Sequence, residues 1–239
     1  MIIYFRNYFR NKTLNLTVKS VRYFMPNAEI NCVCFYDKDV SEYDNFEKIS
    51  GVDNIIYKKT SYPNDTNISP EVSNNQKTAG SLGSRNLKIF TEGYNTIFSE
   101  VKNRDEKVLL LNEDQFFTNG KTLKELLNSD FSLAYARFGK GVHTIKQNDR
   151  FLPNACIICF LPKKVEHLFP LSLDAIKFDP KDPWVGAIEI HLKKTLIDRV
   201  KLNELHIIST RNHANYMGDG FLTNDYLDIE NRLKNCGII

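Results

Sequence analysis

Two rhythms run through this chain: short unbroken apolar runs, and apolar positions that recur every three or four residues. The first is how a strand buried on both faces reads, and the second marks a helix with one buried stripe. Ile2 to Arg6 predicts a first strand, followed by a polar loop from Asn7 to Asn11. Leu14, Val18, Val21 and Met25 then share one face of a helix, with Asn11 or Thr13 as cap and Pro26-Asn27 as stop. Ile30 to Tyr36 is a second strand, closed by Asp37-Lys38-Asp39. Strand, helix and strand in that order predict a parallel pair with a right-handed crossover. Val52 to Tyr57 reads as a third strand, and Leu87, Phe90, Tyr94, Ile97 and Val101 as one face of a long helix. Val108 to Leu111 is the clearest buried strand of all.

Beyond it the pattern predicts a helix over Lys121 to Leu127 and strands over Phe131 to Phe138 and Asn154 to Phe160. A helix from about Val185 to Val200 follows, then a strand over Leu205 to Ser209 and a helical tail from Leu222 to Leu233. The whole is an α/β protein with a mixed, mostly parallel sheet flanked by helices, and it contains no internal repeat.

Composition narrows the picture modestly. A chain of 239 residues with 42% hydrophobic content can bury one substantial core, so a single domain is expected. The net charge of +3 comes from scattered Lys and Arg rather than a basic stripe, which argues against nucleic acid as partner. Five cysteines are an odd number in a long chain, so a reducing, cytoplasmic setting is expected rather than a disulfide framework. Cys32, Cys34, Cys156 and Cys159 lie in apolar runs and read as buried thiols in preference to a zinc site. No apolar stretch reaches transmembrane length, and Ile2 to Phe5 is too short for a signal-peptide core.

The candidate chemistry gathers at the ends of the strands. Val108 to Leu111 stops abruptly in Asn112-Glu113-Asp114, and open α/β sheets bind ligands at the C-terminal ends of their strands. Oxygen donors there suit a hard divalent cation, Mn²⁺ or Mg²⁺, although an acid cluster closing a strand is also an ordinary solvated turn. Asp37 and Asp39 sit where a nucleoside could be hydrogen-bonded, or simply form a charged turn. Gly80-Ser81-Leu82-Gly83-Ser84-Arg85-Asn86 leads small residues into the long helix, and a helix N-terminus with an Arg in its first turn suits an anion. The polar stretch from Lys58 to Lys77 just before it reads as a long loop, placed as a lid would be.

Taken together, Ser84-Arg85-Asn86, a helix, a buried strand and then Asn112-Glu113-Asp114 resemble the small-Arg-Asn and Asp-x-Asp elements of GT-A fold, family 2 glycosyltransferases. Asn112 departs from that pattern, standing where the first acid usually does. The resemblance covers Met1 to Arg137 well and the rest loosely. It implies a nucleotide-sugar-binding half over residues 1–117 and an acceptor half over residues 118–239. On this reading Phe5, Arg6, Asp37, Arg85, Asn86, Asn112 and Glu113 border a UDP- or GDP-sugar donor, and Asp114 holds the metal. His213, in the loop after the last strand, is the implied second metal ligand. The implied base for a glycan acceptor hydroxyl is Asp182 or Glu189, flanking Trp184, and Asn154 would border the acceptor. A catalytically inactive sugar- or nucleotide-binding module, and a sugar nucleotidylyltransferase, are the alternatives. The second of these is disfavoured because Asn7 to Asn11 is no Gly-rich loop.

Overall fold

A computed structural model describes residues 1–7, 10–36, 48–59, 83–137, 153–172, 196–197, 199–208 and 225–239. Seven strands form one sheet: β1 (Ile2–Asn7), β2 (Glu29–Tyr36), β3 (Asn54–Lys59), β4 (Val108–Asn112), β5 (Leu133–Arg137), β6 (Pro153–Phe160) and β7 (Leu205–Ile208). Their order across the sheet is β3-β2-β1-β4-β6-β5-β7. The pairs β1–β2, β1–β4, β2–β3 and β5–β7 are parallel, and β6 runs antiparallel to both its neighbours. This is the mixed, mostly parallel sheet that the apolar runs predict.

Alternation of side chains across the strands builds two cores. Ile3, Phe5, Cys32, Cys34, Leu109 and Leu111 face one way and are covered by α1 (Asn11–Phe24) through Leu14, Val18 and Val21. Ile2, Tyr4, Val33, Phe35, Val108 and Leu110 face the other way and meet α2 (Gly83–Val101) through Tyr94, Ile97, Phe98 and Val101. The helix α3 (Lys121–Asn128) adds Leu123 and Leu126 to the first core. A smaller cluster packs Leu16 and Phe116 against Ile229 and Leu233 of α5 (Asp225–Asn235). On the α2 side, Asn95 exchanges two hydrogen bonds with the Leu171 backbone, and Phe98 stacks on Phe169 at 4.1 Å.

Several boundaries differ from the pattern for local physical reasons. Residue 11 begins α1 instead of capping it: Arg10 is the cap position, and its N–H donates to the Asn7 side-chain oxygen at 3.2 Å. The third strand starts two residues late because Asp53 is engaged before it. The Asp53 carboxylate accepts from the Ile30 N–H and the Arg22 guanidinium, each at 2.7 Å, which hold its carboxyl below the usual range. After β6, Pro162 opens a short helix α4 (Pro162–Val165), a first-turn position that proline suits. The helix expected over 185–200 lies largely outside the described residues, though Leu196 and Ile197 are helical and buried.

Cys32, Cys34 and Cys159 are buried, as their apolar runs predict, and the side chain of Cys156 lies outside the described residues. Cys32 on β2 and Cys159 on β6 are three strand spacings apart, about 14 Å. Burial pushes the Cys32 thiol well up and the Cys159 thiol up to about 12. Such groups stay protonated and inert. No helix among the described residues is long and apolar enough to cross a membrane.

Lys107 fastens α3 to the sheet. Its ammonium donates to the carbonyls of Leu126 and Leu127 at 2.8 Å and of Ser129 at 2.5 Å, and lies 4.7 Å from the Phe131 ring centre. These are carbonyls that a helix end leaves without intrahelical partners. Lys107→Met keeps the stem and removes the charge, and is expected to cost about 1–3 kcal/mol in urea unfolding. An unchanged midpoint would show that water replaces the ammonium without loss.

Candidate functional site

The connection β1–α1–β2 steps to one side of β1, and β3 returns through α2 to β4 on the other side. The two helices consequently cover opposite faces, and a crevice opens between them at the C-terminal ends of β1 and β4. Ligands of open α/β sheets bind at such a reversal point. Because a crossover helix runs against its strands, α1 and α2 both begin at this edge. Arg104, just past the end of α2, accordingly reaches Glu29 at the opposite edge, at 2.8 Å.

Polar side chains from both strands meet in this crevice. Arg6 and Asn112 are partners in the β1–β4 register, and the Arg6 guanidinium donates to the Asn112 side-chain oxygen. Arg6 points to the α2 side, 5% exposed, with its guanidinium carbon 5.1 Å from the Tyr94 ring centre. Asn7, next along the strand, turns to the α1 side and donates to Asn11 at 2.6 Å and to the Cys34 sulfur at 3.5 Å. Past β4 the chain makes a turn, closed by the Asn112 N–H donating to Gln115 Oε1 at 2.9 Å. Helix α1 holds that turn: Thr17 donates to the Glu113 carbonyl at 3.0 Å, and Ser20 Oγ accepts from the Phe117 N–H at 3.1 Å.

The two acids of the turn face one cation. Arg10 Nη1 lies 3.3 Å from Asp114 Oδ2 and 3.7 Å from Glu113 Oε1. Asp114 is 8% exposed, so most of its surface is withdrawn from water. Two hard oxygen donors converging on one positively charged nitrogen form a donor set that suits a divalent cation. Among the described residues there is no cluster of three His, Cys, Asp or Glu.

Of the residues picked out by sequence, Arg6, Asn112, Glu113 and Asp114 are brought together here. The ring of Phe5 is buried in the core that contains Phe117, on the opposite face of β1 from Arg6. Arg85 and Asn86 fall in the first turn of α2, as expected for the backbone, and their side chains lie outside the described residues. Asp37, Asp182, Glu189 and His213 also lie outside them, as does the loop from Thr60 to Lys77. Asn154 is on β6, its side chain likewise undescribed. Arg10 and Tyr94 are additions that no local pattern announced, since each acts on a partner distant in sequence, and Asn7 joins them through Asn11 and Cys34.

No protein-family model matches the chain, and no curated protein matches it in sequence. Among solved structures, the galactosyltransferase LgtC in complex with donor and acceptor sugar analogs is similar at 16% identity, over 88% of this chain and 74% of that one, with a TM-score of 0.48. An active-site mutant of LgtC is similar at 16% identity over the same shares, with a TM-score of 0.46.

Gly93 makes room for Arg6. A Cβ at position 93 would lie 3.2 Å from Arg6 Cδ and 3.2 Å from Phe35 Cζ, both buried. Helix propensity alone favours Ala over Gly by about 1 kcal/mol. Crowding should outweigh it, so Gly93→Ala is expected to lower stability by about 1–2 kcal/mol in urea unfolding. A stabilised Gly93→Ala protein would show that Arg6 and Phe35 give way freely.

Proposed function

We propose that this chain is a glycosyltransferase that moves a sugar from a UDP- or GDP-sugar to a hydroxyl of a glycan acceptor. The observation that supports it is the polar crevice at the strand-order reversal, where Arg6, Arg10, Glu113 and Asp114 meet at the ends of β1 and β4. The small-Arg-Asn opening of α2 and the acidic turn after β4 agree with it.

In this reading Asp114, with Glu113 beside it and His213 as a further ligand, would hold Mn²⁺ or Mg²⁺. The bound cation would supply Lewis-acid neutralisation of the leaving diphosphate. Arg85 and Asn86, in the first turn of α2, orient the diphosphate through the helix N-terminus and a planar guanidinium. Arg6 does not move in this scheme. Packed against Tyr94 and bonded to Asn112, it fixes the Asn112 side chain and adds positive potential to the crevice. Asp37 hydrogen-bonds the nucleoside, and residues 118–239 supply the acceptor side.

Proton removal from the acceptor hydroxyl falls to Asp182 or Glu189. Asp182, between two prolines ahead of the Trp184 helix, is the preferred base. A second reading, a binding module without transfer activity, is favoured by one observation: Asn112 replaces the first acid and its oxygen is already engaged by Arg6.

Calorimetry with UDP and GDP, with and without Mn²⁺, tests the binding step. Asp114→Asn should weaken Mn²⁺-dependent nucleotide binding by one to two decades, about 1.4–2.8 kcal/mol. Unaltered binding would remove Asp114 from the site. Donor hydrolysis and transfer assays test the chemistry: Asp182→Asn should abolish transfer and keep nucleotide affinity, whereas Glu189→Gln should retain most of the rate. The binding-module reading predicts instead that the wild-type protein binds nucleotide and turns nothing over.

A further inference from the structure

Arg10 holds a position that two other charges would compete for. Its backbone is the cap position of α1 and is anchored, because its N–H donates to the Asn7 side chain. Its guanidinium reaches across to the turn after β4, where one nitrogen covers both Asp114 and Glu113. The side chain is 23% exposed, and its contacts at 3.3 and 3.7 Å are looser than a tight bidentate fork. Arg6, by contrast, is sealed in by Asn112, Tyr94 and the absence of a Cβ at Gly93. Two arginines therefore serve one crevice, one sealed in and the other partly exposed and ion-paired to the acidic turn.

We propose that Arg10 is a resident counter-ion, displaced from Asp114 and Glu113 when a divalent cation binds and taken over by the donor's diphosphate. This rests on the reading of the crevice as a nucleotide-sugar site. A divalent cation at Asp114 and the guanidinium now beside it cannot share those oxygens, since like charges a few ångströms apart in a half-buried site repel strongly. The cation alone thus binds against Arg10. A diphosphate arriving with the cation gives Arg10 a stronger partner, and the positive end of α1 adds to the attraction. The consequence is coupling: cation and nucleotide load together, and the cation by itself loads poorly.

The test measures Mn²⁺ alone, and UDP in the presence of Mn²⁺, by calorimetry on the wild type, Arg10→Gln and Arg10→Lys, with Mn²⁺ paramagnetic resonance as a second readout. Arg10→Gln should bind Mn²⁺ alone at least about tenfold tighter than the wild type and bind UDP with Mn²⁺ at least about tenfold weaker. Simple damage to the site would weaken both. Arg10→Lys keeps the charge and should keep the poor affinity for Mn²⁺ alone, which also serves if Arg10→Gln does not fold. The proposal is overturned if Arg10→Gln binds Mn²⁺ no better than the wild type, including the case where neither binds it, or if Arg10→Lys gains Mn²⁺ affinity. If UDP with Mn²⁺ still binds the wild type and Asp114→Asn weakens it, only the counter-ion role is lost. If the wild type binds neither UDP nor GDP, the nucleotide-sugar reading falls with it.

Discussion

β1 is hydrogen-bonded on both edges and covered on both faces, and that confinement shapes everything near it. A strand so placed can carry polar side chains only where the covering helices diverge. Because α1 and α2 lie on opposite faces, that place is the C-terminal end of β1, beside the end of β4. Arg6 and Asn7 sit there in succession and, by the alternation of a strand, are sent to opposite faces. Arg6 goes to α2 and Asn7 to α1, and each finds a polar partner: Asn112 in one case, Asn11 in the other. The crevice is built by the reversal of strand order before any ligand chemistry is considered.

The turn after β4 depends on α1 in the same way. Asn112 to Phe117 would be a polar segment leaving a buried strand with many backbone groups to satisfy. Thr17 and Ser20, both buried on α1, take two of them, at Glu113 and Phe117. Phe116 then packs with Leu16 against α5, and Phe117 joins the main core. The acids are thus held between two anchored aromatics and a hydroxyl-bearing helix face. A turn fixed in this way keeps both carboxylates aimed at Arg10, and a solvated turn of the same composition would not.

What was legible in the sequence follows from how locally each feature is determined. β1, β2 and β4 are uninterrupted apolar runs because both their faces are buried, and the periodicity of α1 and α2 reports a single buried stripe each. The acids after Leu111 could be placed at a strand end for the same reason. Nearness to the strand's end does not tell which face a residue takes: Phe5 faces the α1 core, and its neighbour Arg6 enters the crevice. The antiparallel direction of β6 left no trace in its apolar run, since burial on both faces looks alike in either direction. The late start of β3 depends on Asp53 bonding the Ile30 N–H, a contact across strands that composition does not show.

The pairing of Arg10 with Asp114 is the clearest example of what no local pattern contains. The residues are 104 positions apart, one in a stretch that reads as a polar loop and the other in an acidic turn. In sequence, each alone reads as an ordinary charge in a polar stretch. They meet because α1 begins at the edge where β4 ends, and that follows from the parallel β1–β4 pairing. An acidic turn beside a buried strand end is ambiguous between a metal site and a solvated loop, and here the ambiguity is physical as well as interpretive. The same two carboxylates that could hold a divalent cation are occupied by a monovalent one tethered to the chain. Under the proposed counter-ion role, which cation holds them would depend on what negative charge is present to receive the arginine, so the diphosphate of a donor would decide the state of the site as well as fill it.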